Sequence, residues 1–325
     1  MRYDELMTAA DKFMKEKNIH EAYANYGAET GYTRKVNSEF FKSIALKLRT
    51  IDTKTADTTT TLFGCELATP VIAGAMSHPR VSGLENPFEA WTRGMEEAGS
   101  MMGVGIVSSR EFSEIMKIGA PVYRICKPFK DRGKMADEIR EAEALGAVAV
   151  GTDIDFVLGG KMKETVFADT PMAPLASEEL ADLRKETKLP FIIKGVLHEH
   201  DAEKSMRIGA DAIVVSNHRA MVLDHCVHCL EVLPAIRRIA GPQTTVLADG
   251  GFMRGIDVLK ALAMGADGVL IGQAILLAFF ADGQRGVTDM VREITAQLQR
   301  AMTLTGCRDV KSIDDSILLK RNFII

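Results

Sequence analysis

Cysteine is scarce and scattered: the 325 residues hold five, Cys65, Cys126, Cys226, Cys229 and Cys307. That is too few, and too dispersed, for a disulfide-stapled scaffold. An excess of positive charge is missing as well, because 40 Lys and Arg face 44 Asp and Glu, a net charge of −4. No basic field exists to hold a phosphate backbone or an anionic membrane, so neither nucleic acid nor membrane is expected as a partner. Long apolar runs are absent too. The longest candidate, GVLIGQAILLAFF, falls short of the ~18 residues a spanning helix needs. The first residues, MRYDELMTAADKFMKEK, contain no apolar core of signal-peptide length, and a cytoplasmic protein with reduced thiols is the expectation. No G-x-G-x-x-G follows an apolar strand, which argues against a dinucleotide fold, and no Pro/Gly/Ser linker divides the chain.

What is present is the balance of a globular protein with a large core, 46% apolar and 26% charged residues. One phrase recurs, a helical stretch ending at Gly followed by a short apolar strand: EALGAVAVG at 143–151, RIGADAIVVS at 207–216 and AMGADGVLIG at 263–272. The glycine closes a helix in the left-handed conformation, and the β-branched run suits a strand covered on both faces. Strands are expected near 70–74, 102–106, 121–125, 147–151, 190–194, 211–215, 245–248 and 267–271, with amphipathic helices between them. Eight such units in about 210 residues predict an α/β fold of the (β/α)8 TIM-barrel class. The expected organisation is one domain: an N-terminal segment over 1–68, with helices at 4–17, 19–26 and 29–42, a barrel over 69–284, and a C-terminal helix and tail over 285–325.

In such barrels the chemistry is built at the carboxyl ends of the strands. Strand 4 ends at Asp153, strand 5 at Lys194, strand 6 at Ser216, Asn217 and His218, strand 7 at Asp249 with Gly251, and strand 8 at Gly272 with Gln273. A lysine straight after FII is costly to bury unless an anion or a polarised carbonyl meets it. The glycine loops after strands 7 and 8, with Arg254 nearby, have the character of a phosphate cradle. His218 with a carboxylate offered by Asp153 is a candidate base, since an Asp on one ring nitrogen fixes the tautomer and steadies the imidazolium. His225, Cys226, His228 and Cys229 are a secondary candidate for metal or redox chemistry, with packing as the default.

The stretches IVVSNH, LADGGFMRGIDVLKALAMGAD and LTGCRDVKSIDDSIL, with AYANYGAETGYTRKVN near the start, resemble the FMN-dependent α-hydroxy-acid oxidases and dehydrogenases nearly end to end. The resemblance implies FMN as cofactor, His218 as base, Asp153 as its carboxylate, Lys194 beside the flavin and Tyr23 as a substrate tyrosine. It also implies flavin contacts at Ala73, Gly74, Ser108, Arg124, Ser216, Asp249, Gly251, Arg254, Gly272 and Gln273, and a homo-oligomer, tetrameric or octameric. The departures concern anions. The family reads SNHGGRQLD where this chain reads SNHRAMVLD, so Met221 stands in place of one carboxylate-binding arginine, and the other falls near Gly159 or Gly160. The two phosphate arginines are replaced by Met253 and Gln273. Arg110, Arg124 and Arg219 appear at unusual places, and Cys126 falls where a second tyrosine is expected. Tyr23, Arg110, Cys126, Arg219 and Met221 are therefore the candidate substrate contacts. The expected function is an FMN-dependent oxidoreductase with an unidentified electron acceptor, acting on a hydroxylated substrate other than a standard 2-hydroxy acid. The alternatives are a flavin-dependent isomerase of a phosphorylated substrate and an inactive phosphate-binding barrel.

Overall fold

The computed structural model describes residues 1–20, 23, 26–79, 81, 84, 86–158 and 171–320. The chain opens with helix α1 (Tyr3–Glu16) and helix α2 (Tyr32–Phe40). Half of the helix expected at 19–26, residues 21, 22, 24 and 25, lies outside the described residues. α2 starts later than the expected residue 29 because Gly31, in the left-handed conformation at φ +73°, forms its N-terminal boundary. Strand β1 (Ile44–Leu46) pairs antiparallel with the last strand, β13 (Leu318–Lys320), which ties the N-terminal segment to the tail. A hairpin, β2 (Thr60–Leu62) with β3 (Cys65–Leu67), precedes the barrel.

The barrel strands are β4 (Val71–Ala73), β5 (Ala75–Met76), β6 (Met102–Val104), β7 (Val122–Cys126), β8 (Ala149–Asp153), β9 (Phe191–Val196), β10 (Ala212–Ser216), β11 (Thr245–Asp249) and β12 (Gly268–Ile271). They form one parallel sheet in which β4 pairs with β12 and β5 with β6. β4 and β5 are two halves of one strand interrupted at Gly74, so the sheet returns on itself as an eight-stranded barrel. All eight expected strands lie at these positions.

Side chains alternate between two cores, as strand geometry requires. Ile72, Met101, Tyr123, Ile125, Ala149, Ile192, Ala212, Val214, Leu247 and Leu270 fill the barrel interior, with Leu62 and Leu67 of the hairpin packed against them. The opposite faces pack on the surrounding helices: α3 (Pro87–Glu97), α4 (Ser109–Met116), α5 (Arg132–Ala144), α6 (Ser177–Lys185), α7 (Glu199–Ile208), α8 (Cys229–Ala240), α9 (Gly255–Ala263) and α10 (Gln273–Thr305). α5 shows the local logic. Asp131 accepts a hydrogen bond from the Lys134 N–H at 3.2 Å to start it, and Met135, Ala136, Ile139 and Ala142 form its buried stripe. The C-terminal helix is longer than expected because the helix after β12 runs into it through a kink at Asp282 and Gly283. α1 lies along α10, with Phe13 stacked on Phe280 at 5.2 Å. No helix among the described residues is long and apolar enough to cross a membrane.

Candidate active site

Above the apolar filling, the next inward positions of the strands turn polar. Lys127 follows β7, Asp153, Ser216 and Asp249 end β8, β10 and β11, and Lys194 lies two residues before the end of β9. The Lys127 ammonium lies 2.5 Å from Asp153 Oδ2, and Lys194 Nζ lies 3.3 Å from Asp153 Oδ1 and 3.5 Å from Asp249 Oδ2. Ser216 Oγ donates to Asp249 Oδ2 at 2.7 Å. Burial alone would raise the Asp153 carboxyl, but the two ammonium groups hold it well below the usual carboxylate range. Burial would likewise lower Lys194, and Asp153 and Asp249 keep it firmly protonated. The site therefore holds largely buried charges in place, which is costly unless each finds a partner.

His218 sits above this ring. Its Nδ1 lies 2.9 Å from Asp155 Oδ1, while Asp153 Oδ1 is 3.7 Å away. The carboxylate paired with the imidazole is thus Asp155, which corrects the expected pairing with Asp153. Asp153 is fully buried and committed to the two lysines, whereas Asp155, two residues on, rises to the ring. Gly195 makes room for it. A Cβ at Gly195 would lie 2.4 Å from Asp155 Cγ, and the backbone there has φ +98°. The register between β9 and β10 also shifts at this glycine, Lys194 pairing with Val214 and Val196 with Val215. With Nδ1–H directed to Asp155, Nε2 is the nitrogen able to take a proton, and Lys127 Nζ stands 3.5 Å from it. Phe156 packs against the imidazole at 4.6 Å and lies under Lys127 at 4.3 Å.

The backbone that presents His218 is strained. His218, Arg219 and Ala220 have φ of +49°, +58° and +61°, a left-handed run costing roughly 1–2 kcal/mol per residue. The N-terminal segment holds it. Asn37 and Asn217 exchange amide hydrogen bonds at 3.1 and 2.7 Å, and the Ala28 N–H donates to Ala220 O at 2.8 Å. Asp224 accepts from the N–H groups of Thr30 and Thr33, each at 2.9 Å. Its burial would raise the carboxyl, but these bonds, the Thr30 hydroxyl among them, hold it well below its ordinary value.

A cavity of about 490 Å³ opens beside His218, within the range of roughly 300–1,000 Å³ usual for cofactor and substrate sites. It is bounded by Tyr23, Gly74, Lys127, Lys194, His218, Arg219, Met221, Asp249, Gly251, Gly272 and Gln273. Gly250 and Gly251 have φ of +129° and +84°, and Gln273 opens α10. These glycine turns and the helix start suit a phosphate, and the buried Lys194 suits an electron-rich ring edge, so the cavity fits FMN in size and chemistry. At this end the Tyr26 hydroxyl donates to Gln273 Oε1 at 2.6 Å, and the Arg219 guanidinium lies 3.6 Å above the Tyr26 ring.

Several expected contacts lie elsewhere. Arg124 and Cys126 are on the outward face of β7. Arg124 is buried under α5, bonded to Glu141 at 2.6 Å and stacked over Phe112 at 4.6 Å, and Cys126 packs in the same layer, its thiol pushed up by burial. Neither faces the cavity, and Lys127 occupies the inward position. Ser108 caps α4 through Glu111 rather than lining the cavity. Arg110 is exposed on α4. Arg254 lies over the Tyr3 ring at 4.0 Å, 3.5 Å from Asp4. Ala73 is buried in β4, where its carbonyl accepts from the Tyr123 hydroxyl at 2.6 Å. Gly159 and Gly160 lie outside the described residues. The candidate metal cluster disperses: His225 stacks on Tyr32 at 4.5 Å, His228 is buried between Phe40 and Phe41, and Cys226 and Cys229 are free thiols. Burial lowers the His228 pKa to about 3. Asp153, Asp155 and His218 do converge within 4.8 Å, but Lys127 and Lys194 already supply the positive charge there.

A family model described as FMN-dependent dehydrogenase matches residues 14–174 and 161–320. Glycolate oxidase of Spinacia oleracea is 29% identical over 337 residues, covering 92% of this chain and 90% of that protein. L-lactate dehydrogenase of Caulobacter vibrioides (strain NA1000 / CB15N) is 30% identical over 356 residues, covering 92% and 93%. Among solved structures, mandelate oxidase superposes with a TM-score of 0.89 at 26% identity, covering 100% of this chain and 99% of that one.

Proposed function

This chain belongs to the FMN-dependent dehydrogenase family as an FMN-dependent oxidoreductase of the α-hydroxy-acid oxidase type, and from that premise we propose that it oxidises a hydroxylated substrate other than the small 2-hydroxy acids. The observation that carries the chemistry is the His218–Asp155 pair at 2.9 Å, which leaves Nε2 beside the cavity as the acceptor for the substrate's proton. FMN, when bound, supplies the hydride acceptor. Lys194, buried and charged, offsets negative charge gained there, and Asp155 steadies the imidazolium. Met221 borders the cavity where the family's carboxylate-binding arginine is expected, and a thioether makes no charge-assisted bond.

The test is anaerobic mixing of the FMN-loaded protein with lactate, glycolate, mandelate, larger alcohols and phosphorylated hydroxy compounds, read as bleaching of the flavin band. Slow bleaching by lactate and glycolate and faster bleaching by another hydroxylated compound is the expected result. Rapid reduction by millimolar lactate would overturn the altered substrate choice, and bleaching by no compound would overturn the redox reading in favour of isomerisation or binding.

A further inference from the structure

The charges around the cavity do not balance evenly. Lys127 and Lys194 are met by Asp153 and Asp249, and His218 by Asp155. Arg219 is different. No carboxylate among the described residues lies within 4.0 Å of its guanidinium, its Nε is buried without a hydrogen-bond partner, and burial lowers its pKa. The side chain lies along the cavity wall on the Tyr26 ring, and Tyr26 is bonded to Gln273 at the start of α10. Gln273 spends its carbonyl oxygen on that hydroxyl, which leaves its amide NH2 as a donor at the same corner. The backbone at Arg219, at φ +58° and ψ +34°, is one that glycine would adopt at no cost, yet the chain keeps a large cation there. A half-buried guanidinium that meets no carboxylate among the described residues, with its Nε unpartnered, calls for an anion, and a planar donor fork matches a phosphate.

We propose that Arg219 is the cation that neutralises the phosphate of FMN, taking over from the arginines that Met253 and Gln273 replace. The proposal rests on FMN being the cofactor. The phosphate then lies between the Gly250–Gly251 turn, the Gly272–Gln273 helix start and the Arg219 guanidinium, with Tyr26 as the platform that orients the fork.

The test compares FMN with riboflavin, which lacks the phosphate, by fluorescence titration of the flavin-free full chain. Wild type should bind FMN at least tenfold more tightly than riboflavin. Arg219→Met should weaken FMN binding roughly 10- to 100-fold, the range for one charge-assisted bond, while leaving riboflavin unchanged. Arg219→Lys should recover part of the loss. Arg219→Gly serves as the folding control: it relieves the left-handed β-carbon, so the flavin-free protein should melt no lower than wild type and still lose its preference for FMN. An unchanged FMN-to-riboflavin ratio in Arg219→Met and Arg219→Gly would overturn the proposal, as would equal weakening of both flavins. If the ratio holds while binding of oxalate, a carboxylate probe, to the FMN-loaded protein is lost, Arg219 belongs to the substrate instead. Failure of wild type to bind FMN would remove the cofactor reading itself, and this would be seen before any variant is made.

Discussion

The two ends of the cavity are built on different electrostatic terms. At the His218 end each ammonium group has a carboxylate within 3.5 Å, Lys127 on Asp153 and Lys194 on Asp153 and Asp249, and His218 is hydrogen-bonded to Asp155. At the Tyr26 end the Arg219 guanidinium rests on the Tyr26 ring, which Arg34 also approaches at 5.8 Å, and Arg219 meets no carboxylate among the described residues. A balanced cluster keeps its geometry with or without a ligand, which suits groups that must act on a proton. A surplus charge is completed only by what binds, which suits recognition. The same strained turn, His218 to Ala220, carries one residue of each kind.

The largest effect expected from breaking the balanced end is on stability. Asp153→Ala strands two buried ammonium groups, and loss of one member of such a cluster costs about 3–5 kcal/mol. Denaturant unfolding at neutral pH should show it, and a loss under about 1 kcal/mol would mean that the ring is not coupled. Because the Asp153 carboxyl is held below its ordinary value, this contribution is complete above the unfolded pKa of about 3.9 and is lost as pH falls through the folded one. The gap between wild type and variant should therefore be constant from pH 5 to 8 and narrow below pH ~4.

Next in size, His218→Ala should retain FMN and slow substrate-driven flavin reduction by at least ~10², followed by rapid-mixing absorbance. An unchanged rate would show that the base lies elsewhere. Asp155→Asn should slow the same step by roughly tenfold or more, since the amide keeps the shape but not the charge that steadies imidazolium. It should leave unfolding nearly unchanged, the reverse of Asp153→Ala. If the two aspartates exchanged these behaviours, Asp153 would be the true partner of the imidazole. The smallest effect belongs to the unbalanced end: Arg219→Gly should stabilise the flavin-free chain by up to about 1 kcal/mol, because no native charge pair is lost and a left-handed β-carbon is relieved.

The barrel was legible because its strands are doubly buried and end at glycine-closed helices, a pattern that local sequence imposes. The site was legible where a polar residue directly ends an apolar strand, as at Lys194, Ser216 and Asp249. It failed where parity mattered. Along β7, Tyr123 and Ile125 point inward, so Arg124 and Cys126 must point outward and Lys127 inward again. Placing Arg124 and Cys126 at the site is a one-residue slip, which in a strand exchanges faces. The inward alternation of Tyr123 and Ile125 was itself readable from VYRICK and offered the correction. Asp155 and Tyr26 had no comparable signal. Both sit in irregular segments whose position depends on contacts distant in sequence, Gly195 for one and Gln273 for the other.

The paired amides of Asn37 and Asn217 and the Asp224 clamp have a consequence for how the molecule opens. They tie the loop that presents His218 to a segment 180 to 194 residues away along the chain. Neither piece can swing out without breaking the same bonds, so the two should exchange their amide hydrogens as one cooperative unit with a shared opening free energy. Cutting the amide pair with Asn37→Ala should speed exchange at Ala28 and Ala220 together, and a ligand held under the segment should slow both in step.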